Sequence, residues 1–317
     1  MSSKSPASYS GLLDKAAATK DFSDRFSPVF VRDLRRGLRS DFFVWTFVIT
    51  HIIALVASLA EWSITQFLGP ATTGIAFTGL FIGTIWFVFS LILPLSMFNA
   101  LTPEVGNTRN IELLLTSNLK RWHIVRGKLY VELALSSLLL FSLLPYVLIR
   151  YFLGGVELVA TLGIIVGILV SNGVFSSIVI GASGFQSAAG RVFLIFALGV
   201  VSMMLMSSAS MGAITGRTAS GIFLFFTSVL TIAVIIVFSL QIGRARLKVA
   251  ENPVDPPSSA LVFIVLFLLP LVNGIIAATT GAIGSAILLG LILTLGILMD
   301  SERDRKEKLR AKASSSQ

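Results

Sequence analysis

The chain of 317 residues is long enough for two soluble domains, but its composition excludes an ordinary water-soluble protein. Hydrophobic residues make up 55% of the chain and charged residues only 13%, against roughly 25% charged in a typical globular domain, so most of its surface must face lipid. The formal net charge is +9, and the lack of cysteine excludes disulfides, thiolate metal sites and a cysteine nucleophile.

The N-terminal residues 1–24 are polar and rich in Ser, Ala and Lys, and they predict a disordered cytoplasmic tail. They contain no short apolar core followed by a small-residue cleavage site, so we expect no removable signal peptide. The first membrane span would then direct insertion into the bilayer.

Residues 25–41 predict a basic amphipathic helix, with Ser27 as its N-cap and Pro28 at the first helical position. Its apolar side would lie in the acyl boundary of the membrane and its arginines on lipid phosphates. A plain topology signal explains the same charges, and both interpretations stay open. The residues of this predicted membrane-interface helix are Phe30, Val31, Arg32, Leu34, Arg35, Arg36, Leu38 and Arg39.

Apolar runs long enough to cross a bilayer as helices follow along the rest of the chain. We predict an all-α polytopic bundle with eight spans, at residues 42–62, 74–100, 129–152, 158–180, 192–213, 221–242, 260–278 and 282–299. The first six form a core over 42–242, a cytoplasmic linker occupies 243–259, and a charged tail occupies 300–317. The additional hairpin over 260–299 is either two spans or a re-entrant pair, since Pro and Gly weaken both segments.

The distribution of basic residues predicts the orientation. All but two of the 25 Lys and Arg residues, Arg150 and Arg217, lie on the same side by these boundaries. Because Lys and Arg are retained on the cytoplasmic side, both termini should be cytoplasmic, which requires an even number of spans. This bias, with attraction to anionic membrane lipids, accounts for the net charge, so no nucleic-acid partner is expected.

The segment 101–128, between the second and third spans, contains its own short helix signal. Asn110 can cap it, Glu112 lies in the first turn near the positive end of the helix dipole, and Ile111 to Leu115 are otherwise apolar. A short apolar helix on the cytoplasmic side has no lipid to enter. It therefore needs a groove, either in this protein or in a partner.

This segment carries a resemblance to a known family. Glu104 followed by IELLLTSNLKRWHIVRGKL resembles the cytoplasmic segment of ABC-2 type permeases, the membrane subunits of ATP-binding cassette exporters. The opening SPVFVRDLRRGLRSDFFVWTF also resembles the interfacial helix and first span of bacterial members, so the resemblance covers residues 25–155 and continues only in hydropathy. That family usually has six spans. The matching positions of the segment are Glu112, Leu113, Leu114, Leu115, Ile124, Val125, Gly127 and Lys128.

The resemblance implies that residues 110–116 form a coupling helix, which sits in a cleft of an ATPase subunit and transmits nucleotide-driven closure to the spans. It further implies a separate ABC ATPase that binds ATP and Mg²⁺, a homodimer or heterodimer of permeases, and the bacterial cytoplasmic (inner) membrane. The implied coupling residues are Glu104, Asn110, Ile111, Glu112, Leu113, Leu114, Leu115 and Thr116.

Enzyme motifs are missing from the chain. Gly127-Lys128 is followed by Leu129, with no hydroxyl for Mg²⁺, and no G-x-x-x-x-G-K-[ST] occurs. H-E-x-x-H and G-x-S-x-G are also missing. We therefore predict a transporter subunit rather than an enzyme, with no catalytic residue, no metal and no cofactor bound by this chain.

Polar residues inside the spans are candidates for a substrate route. His51 is a candidate proton relay or a hydrogen-bonded packing residue, while Asn172 and Asn273 either line the route or join helices. The charged residues Glu132 and Arg150 are predicted near helix ends. Close helix packing, within the bundle or in a dimer, is predicted at the glycine pairs Gly79–Gly83 and Gly163–Gly167.

Together these features predict the permease subunit of an ABC-2 exporter with an apolar or amphiphilic substrate. Two alternatives stay open. One is a non-transporting membrane anchor or sensor that recruits a cytoplasmic partner, and the other is an ion-coupled secondary transporter that uses His51.

Overall fold

In the computed structural model of the protein, the described residues are 28–68, 81–102, 121–152, 158–214, 221–251, 268–276, 279 and 283–294. These residues are almost all helical, and no strand occurs among them. Six helices in this part of the chain are long and apolar enough to cross a bilayer. The predicted all-α membrane bundle is therefore confirmed. The eight-span count stays a prediction, because the 260–299 region is described only in part.

The long helices coincide with the first six predicted spans, with differences at their ends. The helix α4 begins at Arg121, ahead of its predicted start at Leu129, and α7 continues to Glu251, past its predicted end at Ile242. The first part of the predicted linker is therefore helical. The helices are α1 Pro28–Leu38, α2 Asp41–Leu68, α3 Phe81–Asn99, α4 Arg121–Phe152, α5 Leu158–Ser183, α6 Ala188–Ile214, α7 Gly221–Glu251, α8 268–276 and α9 Ile283–Thr294.

The predicted interfacial helix α1 packs on the bundle. Ser40 begins α2 as its N-cap, accepting a hydrogen bond from the Phe43 N–H at 3.3 Å. Phe30 and Leu34 lie against a buried apolar cluster of α2, α3, α4 and α5. The apolar side of α1 thus contacts protein at these two residues, whereas the sequence predicted acyl chains. The arginines of α1 are exposed, as an interfacial helix requires.

The helix α5 lies at the centre of the bundle and contacts α3, α4, α6 and α7. Its apolar window is 56% buried, against 33–39% for the other five long helices. At Gly181 a Cβ atom would collide with the backbone carbonyl group of Ser239 on α7. A Cβ at Gly83, Gly163 or Gly167 would meet no atom within 4 Å, so these glycines make no close contact within the described part of the chain. Gly79 lies outside the described residues, and a contact between two copies of the chain stays a prediction.

Candidate functional site

One end of the bundle collects basic side chains and surrounds the two ends of segment 103–120. There α3 ends, α4 begins, α5 turns into α6, and α7 carries arginines. We call this region the basic end and define it by Arg126, Lys128, Arg191, Arg244 and Arg246. It is the end that the charge distribution predicts to be cytoplasmic.

The last described residues before segment 103–120 are bonded to the end of α5. The Leu101 N–H donates to Oγ of Ser183 at 3.2 Å, and Oγ1 of Thr102 donates to the Ser183 carbonyl at 3.3 Å. The Leu101 side chain is fully buried and lies beside Gly243 of α7. The chain therefore leaves α3 at a fixed point on α5 and α7.

Arg191 joins the α5–α6 turn to the end of α3. Its Nε donates to the Phe185 carbonyl at 2.7 Å, one terminal nitrogen donates to the Gln186 carbonyl at 3.0 Å, and the other donates to Oδ1 of Asn99. The guanidinium also lies over the Phe98 ring. Because the residue is only 6% exposed, these bonds replace water for the charge.

The first turns of α4, immediately after segment 103–120, are also held in place. The Trp122 ring lies beneath two guanidinium groups, with Arg126 at 4.3 Å from its centroid and Arg244 of α7 at 5.8 Å. Val125 is fully buried in an apolar cluster with Leu101 and residues of α5 and α7. Both attachment points of the segment therefore contact the same two helices.

The helix α1 is linked to the start of α4 by an ion pair. Lys128 Nζ lies 3.3 Å from Oδ2 of Asp33, and the two side chains are 17% and 14% exposed. Arg32 also contacts Asp33, at 3.0 Å, but its side chain is 71% exposed. The same two helices also pack closely where Gly37 of α1 meets the Leu135 side chain of α4.

We expect a measurable coupling free energy between Asp33 and Lys128, about 1 kcal/mol, because this pair is less exposed than a surface ion pair. A double-mutant cycle with Asp33→Asn and Lys128→Met, read from unfolding midpoints in detergent, measures it. The matched cycle with Arg32→Met should give a coupling near zero. Equal coupling in the two cycles would contradict the assignment.

The residues that the resemblance implies for coupling lie outside the described residues. The structure places only their flanks, as given above. These residues are Glu104, Asn110, Ile111, Glu112, Leu113, Leu114, Leu115 and Thr116.

A chain of buried polar groups runs from the basic end toward the middle of the bundle. Glu132 of α4 is 0% exposed, and its two oxygens accept from Ser96 at 3.2 Å and from Ser136 at 3.4 Å. Ser136 in turn accepts from Nδ2 of Asn172 on α5, and Ser176 donates to Oδ1 of Asn172 at 2.7 Å. The chain joins α3, α4 and α5.

The position of Glu132 corrects the sequence-based expectation. The prediction put this residue near a helix end, since it took Leu129 as the start of the span. With α4 beginning at Arg121, Glu132 lies roughly 16 Å along the helix axis from that start. It is therefore about three turns from the end of the helix, and its burial places it in the interior of the bundle. Arg150 is also buried, with its guanidinium 4.5 Å from the Phe81 ring centroid.

The backbone of α3 is irregular where it meets this polar chain. It is π-helical over Val88–Ile92 and 3₁₀-helical over Ser96–Asn99. Pro94 lies between the two pieces, and it has no N–H to donate to the carbonyl four residues earlier. The irregular helix places Ser90 beside Ser171 of α5, with their hydroxyls 3.0 Å apart, and Ser96 beside Glu132.

The three residues predicted for a substrate route make separate contacts. His51 Nδ1 lies 2.8 Å from the Phe47 carbonyl on its own helix, and its ring stacks on Phe47. Asn172 belongs to the buried polar chain. Asn273 accepts from Ser285 at 2.8 Å, which joins α8 to α9. Hydrogen bonding between helices, one of the two open interpretations, is what the structure shows for both asparagines.

These features define an all-helical integral membrane protein with an anchored basic end and a buried polar chain. Comparison of the chain with protein-family models, curated proteins and solved structures gives no match. Within the described part of the chain, no group of three or more His, Asp or Glu side chains is placed to hold a metal ion.

Proposed function

We propose that the chain is the membrane-spanning permease subunit of an ABC-2 type exporter in the bacterial cytoplasmic membrane. It would move an unidentified, amphiphilic substrate with ATP and Mg²⁺ bound by a separate ATPase subunit. The permease would pair with itself or with a related chain. The six long apolar helices support the membrane part of this proposal, and the resemblance of residues 25–155 supports the family.

The observation that carries the proposal is the anchoring of both flanks of segment 103–120. Leu101 and Thr102 are bonded to Ser183, and Trp122 is stacked under Arg244. A force applied to the segment by a partner would reach the ends of α3 and α4. From there the force would reach α5 and α7 directly, because both helices contact these ends through buried residues.

The interfacial helix fits the same mechanism. Asp33 bonds to Lys128, which lies on the first turns of α4. A displacement of those turns would therefore carry α1 along the membrane surface. Movement of α1 and α4 together would change the packing between the first spans, which is a route to alternating access or lateral opening.

The partner is tested by purifying the tagged wild-type chain in mild detergent with its native neighbours. We expect an ABC ATPase in near-equal amount, and we expect Leu114→Asp to lose it because a charge cannot enter an apolar cleft. Leu12→Asp, the same change in the N-terminal tail, is the matched control and should retain the ATPase. Lack of an ATPase with the wild type in several detergents would contradict the exporter.

A second measurement distinguishes a transporting permease from a non-transporting membrane anchor. The chain has no cysteine, so spin labels can be attached at His123→Cys on α4 and Gln186→Cys in the α5–α6 turn, both exposed. With the ATPase bound, a permease should show a nucleotide-dependent change in the distance between the labels. An unchanged distance would instead indicate a non-transporting anchor.

A further inference from the structure

Glu132 is a carboxyl group in the interior of the bundle. Its side chain is fully buried. The helix α3 contacts it through Ser96, and the helix α5 contacts its partner Ser136 through Asn172. Neither helix contains a charged residue between Phe81 and Thr102 or between Leu158 and Ser183. The ion pairs between described residues join Asp33 to Arg32 and to Lys128, and neither includes Glu132.

The basic groups near this carboxyl make other contacts. Lys128, one helical turn before Glu132 on α4, bonds to Asp33 of α1. From α7, the guanidinium of Arg244 lies over Trp122, and that of Arg246 lies 3.8 Å from the Phe185 ring centroid. The structure thus gives Glu132 two serine hydroxyls as partners, at 3.2 and 3.4 Å.

Two long neutral hydrogen bonds do not replace the hydration of a carboxylate. Burying an ion in a medium of low dielectric is expensive unless the charge is paired or neutralised, and ionisable groups inside membrane segments commonly mark ion paths. Among the described residues no side chain supplies the opposite charge, and a bound cation can supply it.

We propose that Glu132, with the hydroxyls of Ser96 and Ser136, forms a binding site for one small monovalent cation, either a proton or Na⁺. The single negative charge of the Glu132 carboxylate sets the charge of the ion at one, because a divalent ion would leave one positive charge buried. The oxygen atoms fix the type, because carboxylate and hydroxyl oxygens suit hard ions. Asn172 and Ser176 hold the Ser136 hydroxyl in place from α5.

The irregular part of α3 supplies the entrance to this site. Ser96 is exposed while the carboxyl group that it contacts is fully buried, so its hydroxyl lies between Glu132 and the surface. It lies in the 3₁₀-helical piece Ser96–Asn99, next to Pro94. A small change in this piece would open or close the site toward the basic end.

Binding is tested by thermal unfolding of the purified full-length chain in detergent. The midpoint is measured in sodium, potassium and choline chloride at equal ionic strength and at several pH values. We expect the wild type to be stabilised by the cation, and we expect Glu132→Gln, which is neutral and of similar shape, to lose that dependence. If the unfolding midpoint rises only in sodium chloride at fixed pH, the bound ion is Na⁺. If the midpoint depends on pH but not on the salt, the bound ion is a proton.

A second variant keeps the test valid if Glu132→Gln does not fold. Ser136→Ala removes one oxygen and no charge. If the ion is Na⁺, this variant should raise the half-saturating sodium concentration about tenfold, as expected for loss of one contact to a charged group. If the ion is a proton, it should change the pH of half-saturation, because the Ser136 hydroxyl donates to the Glu132 carboxylate. Ser177→Ala is the matched control, because this buried serine on α5 bonds to the Val174 carbonyl of its own helix.

Identical midpoints for the wild type in all salts and at all pH values would overturn the site. A dependence that survives in Glu132→Gln, or in Ser136→Ala without any change, would also overturn it. The experiment contains no ATPase, so its result does not depend on the proposed exporter function.

Discussion

Arg191→Ala is expected to lower the free energy of unfolding by about 3 kcal/mol, because it removes three hydrogen bonds from a charged and buried donor. The acceptors are the carbonyls of Phe185 and Gln186 and the side-chain oxygen of Asn99. Unfolding of the purified chain in mixed micelles, followed by circular dichroism, measures the loss. The stability of Arg191→Lys should lie between those of the wild type and Arg191→Ala. Lysine keeps the charge but cannot reproduce the planar set of donors of the guanidinium group.

The matched control for this prediction is Arg126→Ala. Arg126 is exposed, and its described contact is the stacking on Trp122, which is worth about 0.5–1 kcal/mol at an exposed site. If Arg191→Ala and Arg126→Ala destabilise the protein equally, Arg191 is a topology signal and not a structural link between α3 and the α5–α6 turn.

Gly181→Ala is expected to destabilise the protein by about 1–3 kcal/mol or to prevent folding, because the added methyl group meets the backbone of Ser239 on α7. A backbone carbonyl cannot turn aside as a side chain can, so α5 and α7 would have to separate. The expression level of folded chain and its thermal midpoint in detergent are the measurements.

Gly163→Ala provides a control with the opposite expected sign. It lies on the same helix α5, and its new methyl group would meet no atom within 4 Å. Because alanine favours a helix over glycine by about 1 kcal/mol, this variant should be as stable as the wild type or more stable. Equal destabilisation at both positions would mean that α5 and α7 are not in close contact at Gly181.

The positions of the long helices could be predicted because the length of an apolar run nearly fixes where a membrane helix lies. Their ends could not, because polar residues continue a helix beyond the lipid. Residues 121–128 extend α4 and residues 243–251 extend α7, and both stretches are rich in Lys and Arg. Hydropathy ends a span at such residues, although nothing in them ends a helix.

Only part of the buried polar chain could be predicted from the sequence. The sequence indicates that Asn172 needs a hydrogen-bond partner. It places Glu132 near a helix end, because hydropathy starts the span at Leu129, where α4 has already begun. The spacing of Glu132 and Ser136, and of Asn172 and Ser176, puts each pair on one helix face, and this signal was available. Contact between the two pairs depends on how α4 and α5 pack, which local spacing does not determine.

The predicted glycine contacts within the described part of the bundle are absent at Gly83, Gly163 and Gly167 for a related reason. Small residues four apart permit two helices to approach, but they do not say which helix face has a neighbour. Gly163 and Gly167 lie on an exposed face of α5, whereas Gly181 lies where α7 crosses it. The choice is made by the arrangement of the whole bundle.

The attachment of Leu101 and Thr102 to Ser183 has a consequence for biosynthesis. The ribosome completes segment 103–120 well before it reaches Ser183 or Arg244, so the side chains that hold the flanks of the segment do not yet exist when the segment emerges. A nascent chain that stops after α4 would contain the whole segment but not its supports. If the segment binds a partner only when its flanks are held, that binding would report that membrane insertion has proceeded through α7.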